Sequence, residues 1–262
     1  MQLGSLTVVG TGIKVITQIT SETLSRIEKA DKVFFLVADP ATAIWLTKIN
    51  PQSESLDQYY KINKGRQIIY SQMVERVISS VREGLNVCFV SYGHPGFFAD
   101  PCHEAIRVAR SEGYQATMLP GISSQDCLYA DLGVDPGVCG CQIFEATDFL
   151  IYKRKFDCST ALILLQVGVI GERTFKERID LKGLHILVDF LEKYYDSNHE
   201  VTIYEAAQYP FCKPVINTIC LRKVVEAPVT PISTIYIPPK PSSAPDMKML
   251  EMLNIPYLRD IN

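Results

Sequence analysis

Short apolar runs alternate along the first half of the chain with segments of helical periodicity. Four runs have the length and the β-branched or aromatic content of strands, at residues 6–9, 32–36, 87–90 and 115–118. Apolar side chains recur every four residues from Ile69 to Val81, and this spacing predicts an amphipathic helix over residues 67–82. Residues 21–30 and 100–111 are also predicted to be helical, the second with Asp100 as its N-cap. This alternation indicates a mostly parallel sheet covered on both faces.

The pattern changes in the second half of the chain. Four further strands are predicted there, at residues 161–167, 201–205, 216–221 and 234–237. One strong helical pattern, at residues 184–195, interrupts them. We therefore predict an α/β fold with two domains. Residues 1–119 form an N-terminal, mostly parallel, doubly wound sheet, residues 120–240 form a C-terminal α/β domain with a mixed sheet, and residues 241–262 form a short tail.

Composition and charge restrict the class of function. The 262 residues carry a formal net charge of −3, which argues against a nucleic-acid partner because phosphate binding usually leaves a basic surface. No apolar run is long enough to span a bilayer or to act as an export signal, so we expect no membrane partner. The eight cysteines are scattered without any CxxC pair, which favours reduced thiols in the cytoplasm and no metal site.

Three loops that contain glycine follow predicted strands. They comprise Gly10 and Gly12, residues 93–96, and residues 120–124. Ligands of open α/β sheets bind outside the carboxyl ends of the strands, where glycine lets a backbone approach a ligand closely. One such loop alone is more often a tight turn, but three at equivalent strand ends favour a cofactor cleft. A third glycine and a Gly-Lys-Ser/Thr sequence are both missing, so a dinucleotide fingerprint and a P-loop are not supported.

Five motifs in order resemble the tetrapyrrole methylase superfamily. They lie at residues 6–12, 91–96, 120–124, 203–207 and 231–235, and the resemblance covers residue 6 to about residue 239. Ser-Tyr-Gly-His-Pro-Gly followed by Pro-Gly-Ile-Ser is specific only in combination. The resemblance implies a two-domain fold, a homodimer, and S-adenosylmethionine as the methyl donor, with S-adenosylhomocysteine as product.

Further runs narrow the resemblance to one branch. Tetrapyrrole methylases typically open with Gly-x-Gly-Pro-Gly, whereas this chain has Ile13 after its second glycine. The runs at residues 45–51, 70–74, 129–137 and 199–207 look like those of the borosin α-N-methyltransferases, and most closely like the split bacterial type. The resemblance implies methylation of backbone amides in a separate, ribosomally made precursor peptide. About 25 residues follow the last predicted strand, without a Val/Ile/Gly-rich core, and we expect methylation in trans.

The chemistry of amide methylation explains which residues are candidates for catalysis. A peptide N–H is a poor nucleophile because its lone pair is delocalised, so its proton must be removed and the imidate oxygen stabilised. By resemblance, Tyr70 is the candidate base and Arg66, four residues earlier, lowers its pKa. Tyr60 and Tyr92 are the candidates that donate hydrogen bonds to the imidate oxygen. Tyr59 is the rival to Tyr60, since adjacent residues do not easily face the same way.

The resemblance also indicates a set of cofactor-binding candidates. They are Gly10, Gly12, Tyr92, His94, Phe97, Phe98, Ser123, Gln166, Tyr204, Ala207, Ser233 and Thr234. A base role for His94 is open, but its place in the loop favours shaping the pocket. Core packing is the ordinary alternative for the two phenylalanines, and a backbone contact at a strand end is the ordinary alternative for Gln166.

Two other functions compete with this interpretation. The same fold methylates other acceptors, such as a corrinoid ring, a ribosomal RNA ribose or diphthamide; the acidic net charge and the altered first loop count against the first two. The second alternative is a non-catalytic subunit that binds S-adenosylmethionine and scaffolds a precursor. The presence of both Arg66 and Tyr70 argues against it.

Overall fold

The first half of the chain forms one sheet with helices on both faces. The computed structural model describes residues 3–37, 39–60, 65–172, 180–241 and 244–256. The strands of the first sheet are β1 (Ser5–Gly10), β2 (Lys32–Leu36), β3 (Ser53–Ser55), β4 (Asn86–Ser91) and β5 (Gln115–Met118). The helices between them are α1 (Ser21–Lys29), α2 (Pro40–Ile49), α3 (Arg66–Arg82) and α4 (Asp100–Ser111). A 3-10 turn at Asp57–Tyr59 precedes α3.

The first sheet is parallel throughout, with the strand order β3-β2-β4-β1-β5. Alternate side chains of β1 enter two different cores. Leu6 and Val8 pack with α3 and α4, whereas Val9 packs with α1 and α2. The pairing register places Gly10 beside Ser91, and Leu36 beside Ser91 on the other side. The ends of three strands therefore meet at one edge of the sheet.

Helix starts follow the local side-chain chemistry. Thr20 caps α1 by accepting a hydrogen bond from the amide of Thr23, and Asp39 caps α2 ahead of a proline at the first helical position. The prediction for α4 was wrong by one residue. Ala99 occupies the N-cap position and Asp100 is the first helical residue, where its carboxylate lies close to the positive end of the helix dipole.

The second half of the chain builds a mixed sheet. Its strands are β6 (Cys141–Glu145), β7 (Ala161–Leu165), β8 (Glu200–Glu205), β9 (Val215–Cys220) and β10 (Thr234–Ile237). The helices are α5 (Ser124–Leu132), α6 (Pro136–Cys139), α7 (Ala146–Ile151), α8 (Lys182–Leu191) and α9 (Met247–Met252). The strand order is β6-β7-β10-β8-β9, with β6 and β7 parallel and the other pairs antiparallel. The predicted α/β class is thus confirmed in both halves.

Two boundaries differ from the sequence-based expectation for physical reasons. The predicted strand at residues 161–167 ends at Leu165, because Gln166 adopts the left-handed conformation with φ of 58°. The predicted helix at residues 184–195 begins at Lys182 and gives way to turns after Leu191. The domain boundary after residue 119, between β5 and α5, stays a prediction, and residues 242–243 and 257–262 of the predicted tail lie outside the described residues. Of the helices that are described, none combines the length and the apolar character needed to cross a bilayer.

Candidate active site

Three glycines bring the three loops into backbone contact. A Cβ atom at Gly10 would lie 2.1 Å from the carbonyl oxygen of Gly93, and one at Gly121 would lie 2.8 Å from the same oxygen. A Cβ at Gly121 would also lie 3.2 Å from the Cα of Gly10. The loops predicted to share a cleft therefore converge on one point, and any larger residue at these positions would push them apart.

Hydrogen bonds join the first two loops. Gly93 donates to the carbonyl of Gly12 at 2.8 Å, and Gly12 donates back to Gly93 at 3.3 Å. Both glycines have positive φ values, 74° and 70°, which the turn requires. Thr11 donates to Ser91 at 2.9 Å and Tyr92 donates to Leu36 at 2.9 Å. The loop that carries Tyr92 is consequently fixed on both sides by the ends of its neighbouring strands.

An apolar cluster joins these loops to the second sheet. One half-buried side chain lies in or directly after each of the three loops, and these are Ile13, Phe97 and Ile122. They pack against a buried layer of the second sheet that includes Leu165 and Tyr204. The carboxyl edge of the first sheet and one face of the second sheet thus form the walls of a common site.

The predicted catalytic residues Tyr60, Arg66, Tyr70 and Tyr92 lie in one cluster beside these loops. Burial raises the pKa of Tyr60, the nearby phenols of Tyr70 and Tyr92 raise it further, and Arg66 opposes them. Burial also raises the pKa of Tyr70, with Arg66 again lowering it and Asp100 and Tyr92 raising it. Arg66 is the first residue of α3 and Tyr70 lies one turn later, so the helix presents both toward the same place.

The structure distinguishes the two adjacent tyrosines. Tyr60 ends the 3-10 turn, interacts electrostatically with Tyr70 and Tyr92, and is 39% exposed. Tyr59 instead packs against the core beneath α3 and lies close to Arg76. Tyr60 therefore faces the cluster and Tyr59 faces away, which the sequence could not decide.

The phenols of the cluster are hydrogen-bond donors at neutral pH. Burial raises the pKa of Tyr92, as it does for Tyr60 and Tyr70, although the Tyr92 ring is 52% exposed at the surface. Arg66 is the cation that favours the phenolate of Tyr70. The arrangement can thus donate hydrogen bonds to a developing oxyanion and, after loss of one proton, can supply a strong oxygen base.

The loop after β4 is shaped by its histidine. His94 accepts a hydrogen bond at Nδ1 from the amide of Gly96 at 2.8 Å, so its neutral ring carries the proton on Nε2. The Nε2 atom of His103, a residue of α4, lies 2.9 Å from the carbonyl oxygen of Gly96. Phe97 packs into the apolar cluster, whereas Phe98 has a positive φ of 59° and is 52% exposed. Of the two phenylalanines, Phe97 is therefore the one that packs with the walls of the site.

Three of the predicted cofactor-binding hydroxyls already donate hydrogen bonds to carboxylates of the protein. Ser123 caps α5 in a reciprocal capping box with Asp126, and Tyr204 donates to Asp131 at 2.7 Å. Ser233 donates to the carboxylate of Glu205. These side chains fix the surrounding backbone.

The other predicted positions of the second sheet lie at strand ends. Gln166 follows β7 and is half-buried, and its carboxamide makes no hydrogen bond to any residue that the structure describes. Ala207 follows β8 and is buried, and Thr234 opens β10 opposite Tyr204. Gln166 is therefore a polar side chain of this set that is available to a ligand.

Some residues of the site were missed from the sequence. Gln18 accepts hydrogen bonds from two backbone amides just after the first loop, Asp131 accepts one from Tyr204, and Asp100 raises the pKa of Tyr70. Asp131 lies inside one of the runs that carry the resemblance, which was the only signal for it. Within the described ranges, no cluster of three or more His, Cys, Asp or Glu side chains could hold a metal ion.

A groove of about 830 Å³ runs along the outer face of α3, beside the tyrosine cluster. It is lined by Gln58, Tyr59, Ile68, Ser71, Gln72, Glu75, Arg76 and Ser79. A second groove, of about 430 Å³, lies against α7 and α8 on the second sheet. Neither groove contains a residue of the predicted catalytic set.

Comparison with known proteins supports the sequence resemblance. Residues 5–219 match the family model described as Tetrapyrrole (Corrin/Porphyrin) Methylases. The chain is 46% identical over 259 residues to the methyltransferase and gymnopeptide precursor of Gymnopus fusipes, covering 97% of this chain and 62% of that protein. It is 43% identical over 257 residues to the methyltransferase and omphalotin A precursor of Omphalotus olearius, covering 96% and 62%. The chain thus spans about three fifths of the length of these relatives.

Solved structures share the fold at low sequence identity. Uroporphyrin-III-C-methyltransferase from Thermus thermophilus superposes with a TM-score of 0.64 at 15% identity, covering 98% of this chain and 99% of that one. A structure of the same enzyme complexed with S-adenyl homocysteine gives a TM-score of 0.61 at 16% identity, covering 90% and 92%.

The comparisons also correct one part of the resemblance. The relatives are fungal proteins that combine a methyltransferase with a cyclic-peptide precursor, and one from Coprinopsis marcescibilis, 44% identical over 99% of this chain and 67% of that protein, is named as a type I borosin precursor. The assignment to the split bacterial type is not supported by them. The family model covers most of the chain and the fold agrees with it. The chain therefore belongs to the tetrapyrrole (corrin/porphyrin) methylase family.

Proposed function

We propose that this chain uses S-adenosylmethionine to N-methylate backbone amides of a ribosomally made peptide. The observation that carries the proposal is the cluster of Tyr60, Arg66, Tyr70 and Tyr92 beside the three converging loops. The relatives support it because their names join a methyltransferase to a cyclic-peptide precursor.

The residues of the site fit S-adenosylmethionine. The apolar wall of Ile13, Phe97 and Ile122 suits the purine and the thioether carbons, and the carboxamide of Gln166 suits a polar group of the cofactor. The backbone at Gly10 and Ala207, at the ends of β1 and β8, supplies further hydrogen-bonding groups. When bound there, S-adenosylmethionine supplies an electrophilic methyl group.

The tyrosine cluster has two tasks in this proposal. Tyr70 takes the amide proton at its phenolic oxygen, and Arg66 stabilises the phenolate that can do so. Tyr60 and Tyr92, neutral because burial raises the pKa of each, donate hydrogen bonds to the imidate oxygen. A raised pKa makes the phenolate of Tyr70 a stronger base but a rarer one at neutral pH.

Mass spectrometry of methylated peptide tests the proposal. The chain is incubated with S-adenosylmethionine and a candidate precursor peptide, and mass increments of one CH₂ group are mapped to backbone amides. We expect Tyr70→Phe and Arg66→Met to lower the rate at least about 100-fold. Both variants should still bind S-adenosylhomocysteine within about threefold of wild type, because neither residue lines the loops that hold it.

Tyr59→Phe is the matched control, since it removes a neighbouring phenol that faces away from the cluster. Its rate should stay within about twofold of wild type. Equal losses in Tyr59→Phe and Tyr70→Phe, or increments only on an added corrinoid, would contradict the proposed chemistry.

The proposal also includes the methyl acceptor, the oligomeric state and the cellular location of the chain. We propose a separate precursor as acceptor, and increments on this chain's own residues would instead indicate the fused arrangement of the relatives. A homodimer is proposed from the resemblance, and a cytoplasmic location is proposed from the scattered cysteines. Light scattering of the purified chain measures the first, and fractionation of the producing cells measures the second.

A further inference from the structure

One side chain holds the segment that follows the first glycine loop. The Oε1 atom of Gln18 accepts hydrogen bonds from the amides of Ile13 and Lys14, both at 2.8 Å. A carbonyl oxygen has two lone pairs, so this carboxamide satisfies two backbone donors at once. Residues 13–17 are turns without helix or strand, and these bonds replace the pairing that regular structure would give.

The same carboxamide reaches the third loop. The Nε2 atom of Gln18 lies 3.5 Å from the Sγ of Cys127, a buried residue of α5. This helix starts at Ser124, directly after the third glycine loop. Gln18 thus links the segment after the first loop to the helix that follows the third.

The segment that Gln18 holds contacts the rest of the site. The Cδ1 atom of Ile13 would be 3.3 Å from a Cβ at Gly93, and its side chain packs in the cluster that joins the two sheets. The amide of Val15 donates to the carbonyl of Gln208 at 2.8 Å, one residue after the buried Ala207. A displacement of this segment would therefore reach the second loop and the second sheet together.

We infer that Gln18 is a positioning residue for the methyl-donor site, holding residues 13–14 against the second loop and α5. This inference rests on the proposed function, because it concerns the site assigned to S-adenosylmethionine. Gln18 touches no reacting atom in this role. Its loss should weaken cofactor binding and leave the chemical step, once the site is saturated, nearly unchanged.

Gln142 provides a matched control in the same chain. Its carboxamide donates to the carbonyl of Asp157 at 3.0 Å and to Thr160 at 2.6 Å, and accepts from the amide of Asp157 at 3.3 Å. It therefore ties a turn to the edge strand β6 as Gln18 ties its own segment, but its partners Asp157 and Thr160 belong to none of the three glycine loops. Comparing the two separates a positioning effect from a loss of stability.

Calorimetric binding of S-adenosylhomocysteine tests the inference with three variants. Gln18→Leu should raise the Kd and the KM for S-adenosylmethionine at least about tenfold, with kcat within about threefold of wild type. Gln18→Glu retains an acceptor for both amides and should stay within about threefold in Kd. Gln142→Leu should also stay within about threefold. Wild-type affinity in Gln18→Leu, or an equal loss in Gln142→Leu, would overturn the inference.

Hydrogen exchange provides a readout that does not depend on the cofactor. The amides of Ile13 and Lys14 should exchange faster in Gln18→Leu than in wild type, and exchange at the wild-type rate would also overturn the inference. If Gln18→Leu does not fold, Gln18→Asn is used instead. Its side chain is one methylene shorter, so the carboxamide oxygen is drawn back from the two amides. A wild-type chain that binds no S-adenosylhomocysteine would instead refute the proposed function, with the exchange result still deciding the role of Gln18.

Discussion

Two glycines stand at the ends of β1, Gly4 directly before it and Gly10 as its last residue, and a Cβ at either would lie similarly close to a backbone oxygen. A Cβ at Gly10 would lie 2.1 Å from the oxygen of Gly93, and a Cβ at Gly4 would lie 2.0 Å from the oxygen of Val81. Since Cβ atoms essentially never approach below 3.0 Å, each alanine forces a displacement of roughly 1 Å. Overpacking of this kind costs about 1–3 kcal/mol and lowers the Tm of a chain this size by about 2–4 °C per kcal/mol.

The two alanine variants should therefore lose similar stability but differ in binding. Gly10→Ala displaces the loop that carries Tyr92, whereas Gly4→Ala displaces the end of α3 remote from the site. We expect Gly10→Ala to weaken S-adenosylhomocysteine binding about tenfold, or about 1.4 kcal/mol, in calorimetry at a temperature where both variants are folded. Gly4→Ala should bind like wild type. Equal affinities in the two variants would refute the reasoning that the convergence of the loops forms the cofactor site.

Two further predictions concern pH and a partly exposed ion pair. Burial raises the pKa of Tyr70 and Arg66 opposes it, so a phenolate base predicts a methylation rate that rises about tenfold per pH unit from pH 7 to 9. A flat or falling rate would show that Tyr70 acts as a neutral donor. Burial would raise the pKa of Glu54, but Arg76 and a neighbouring lysine lower it. The stability that the ionised Glu54 carboxylate contributes to the fold is therefore present above about pH 4.3 and is lost as the pH falls through the lowered pKa. Glu54→Gln should lower the free energy of unfolding by about 1–2 kcal/mol at pH 7 in denaturant titrations, with the exposed Glu104→Gln unchanged as control.

The sequence was informative where local chemistry decides the structure. The four-residue spacing from Ile69 to Val81 predicted α3 to within one residue, because one face of that helix is buried. The convergence of the glycine loops followed from parallel strands, whose carboxyl ends share one edge. Elements without such a pattern were missed. Strand β3 is three polar residues paired only with β2, and α2 buries only Thr42 and Leu46.

The geometry of the site depends on contacts distant in the chain. Which of Tyr59 and Tyr60 faces the cluster is set by the turn that ends before α3, and no periodicity indicates it. Gln18 and Cys127 are 109 positions apart, and the carboxamide gains its role only from that approach. The sequence resemblance named Tyr70 and Arg66 as a pair, and the helix geometry explains why a spacing of four serves them.

The position of β1 between two later strands has a consequence for synthesis on the ribosome. Its two partners are β4 and β5, so the first strand made stays unpaired on both edges until residues 86–91 have been translated, and on one edge until residues 115–118 follow. At about 5–20 residues per second, the 75 residues between Gly10 and Asn86 take on the order of 4–15 s. During this interval an apolar strand is without its neighbours. We expect the nascent chain to engage holdase chaperones over this window and to release them as β5 emerges.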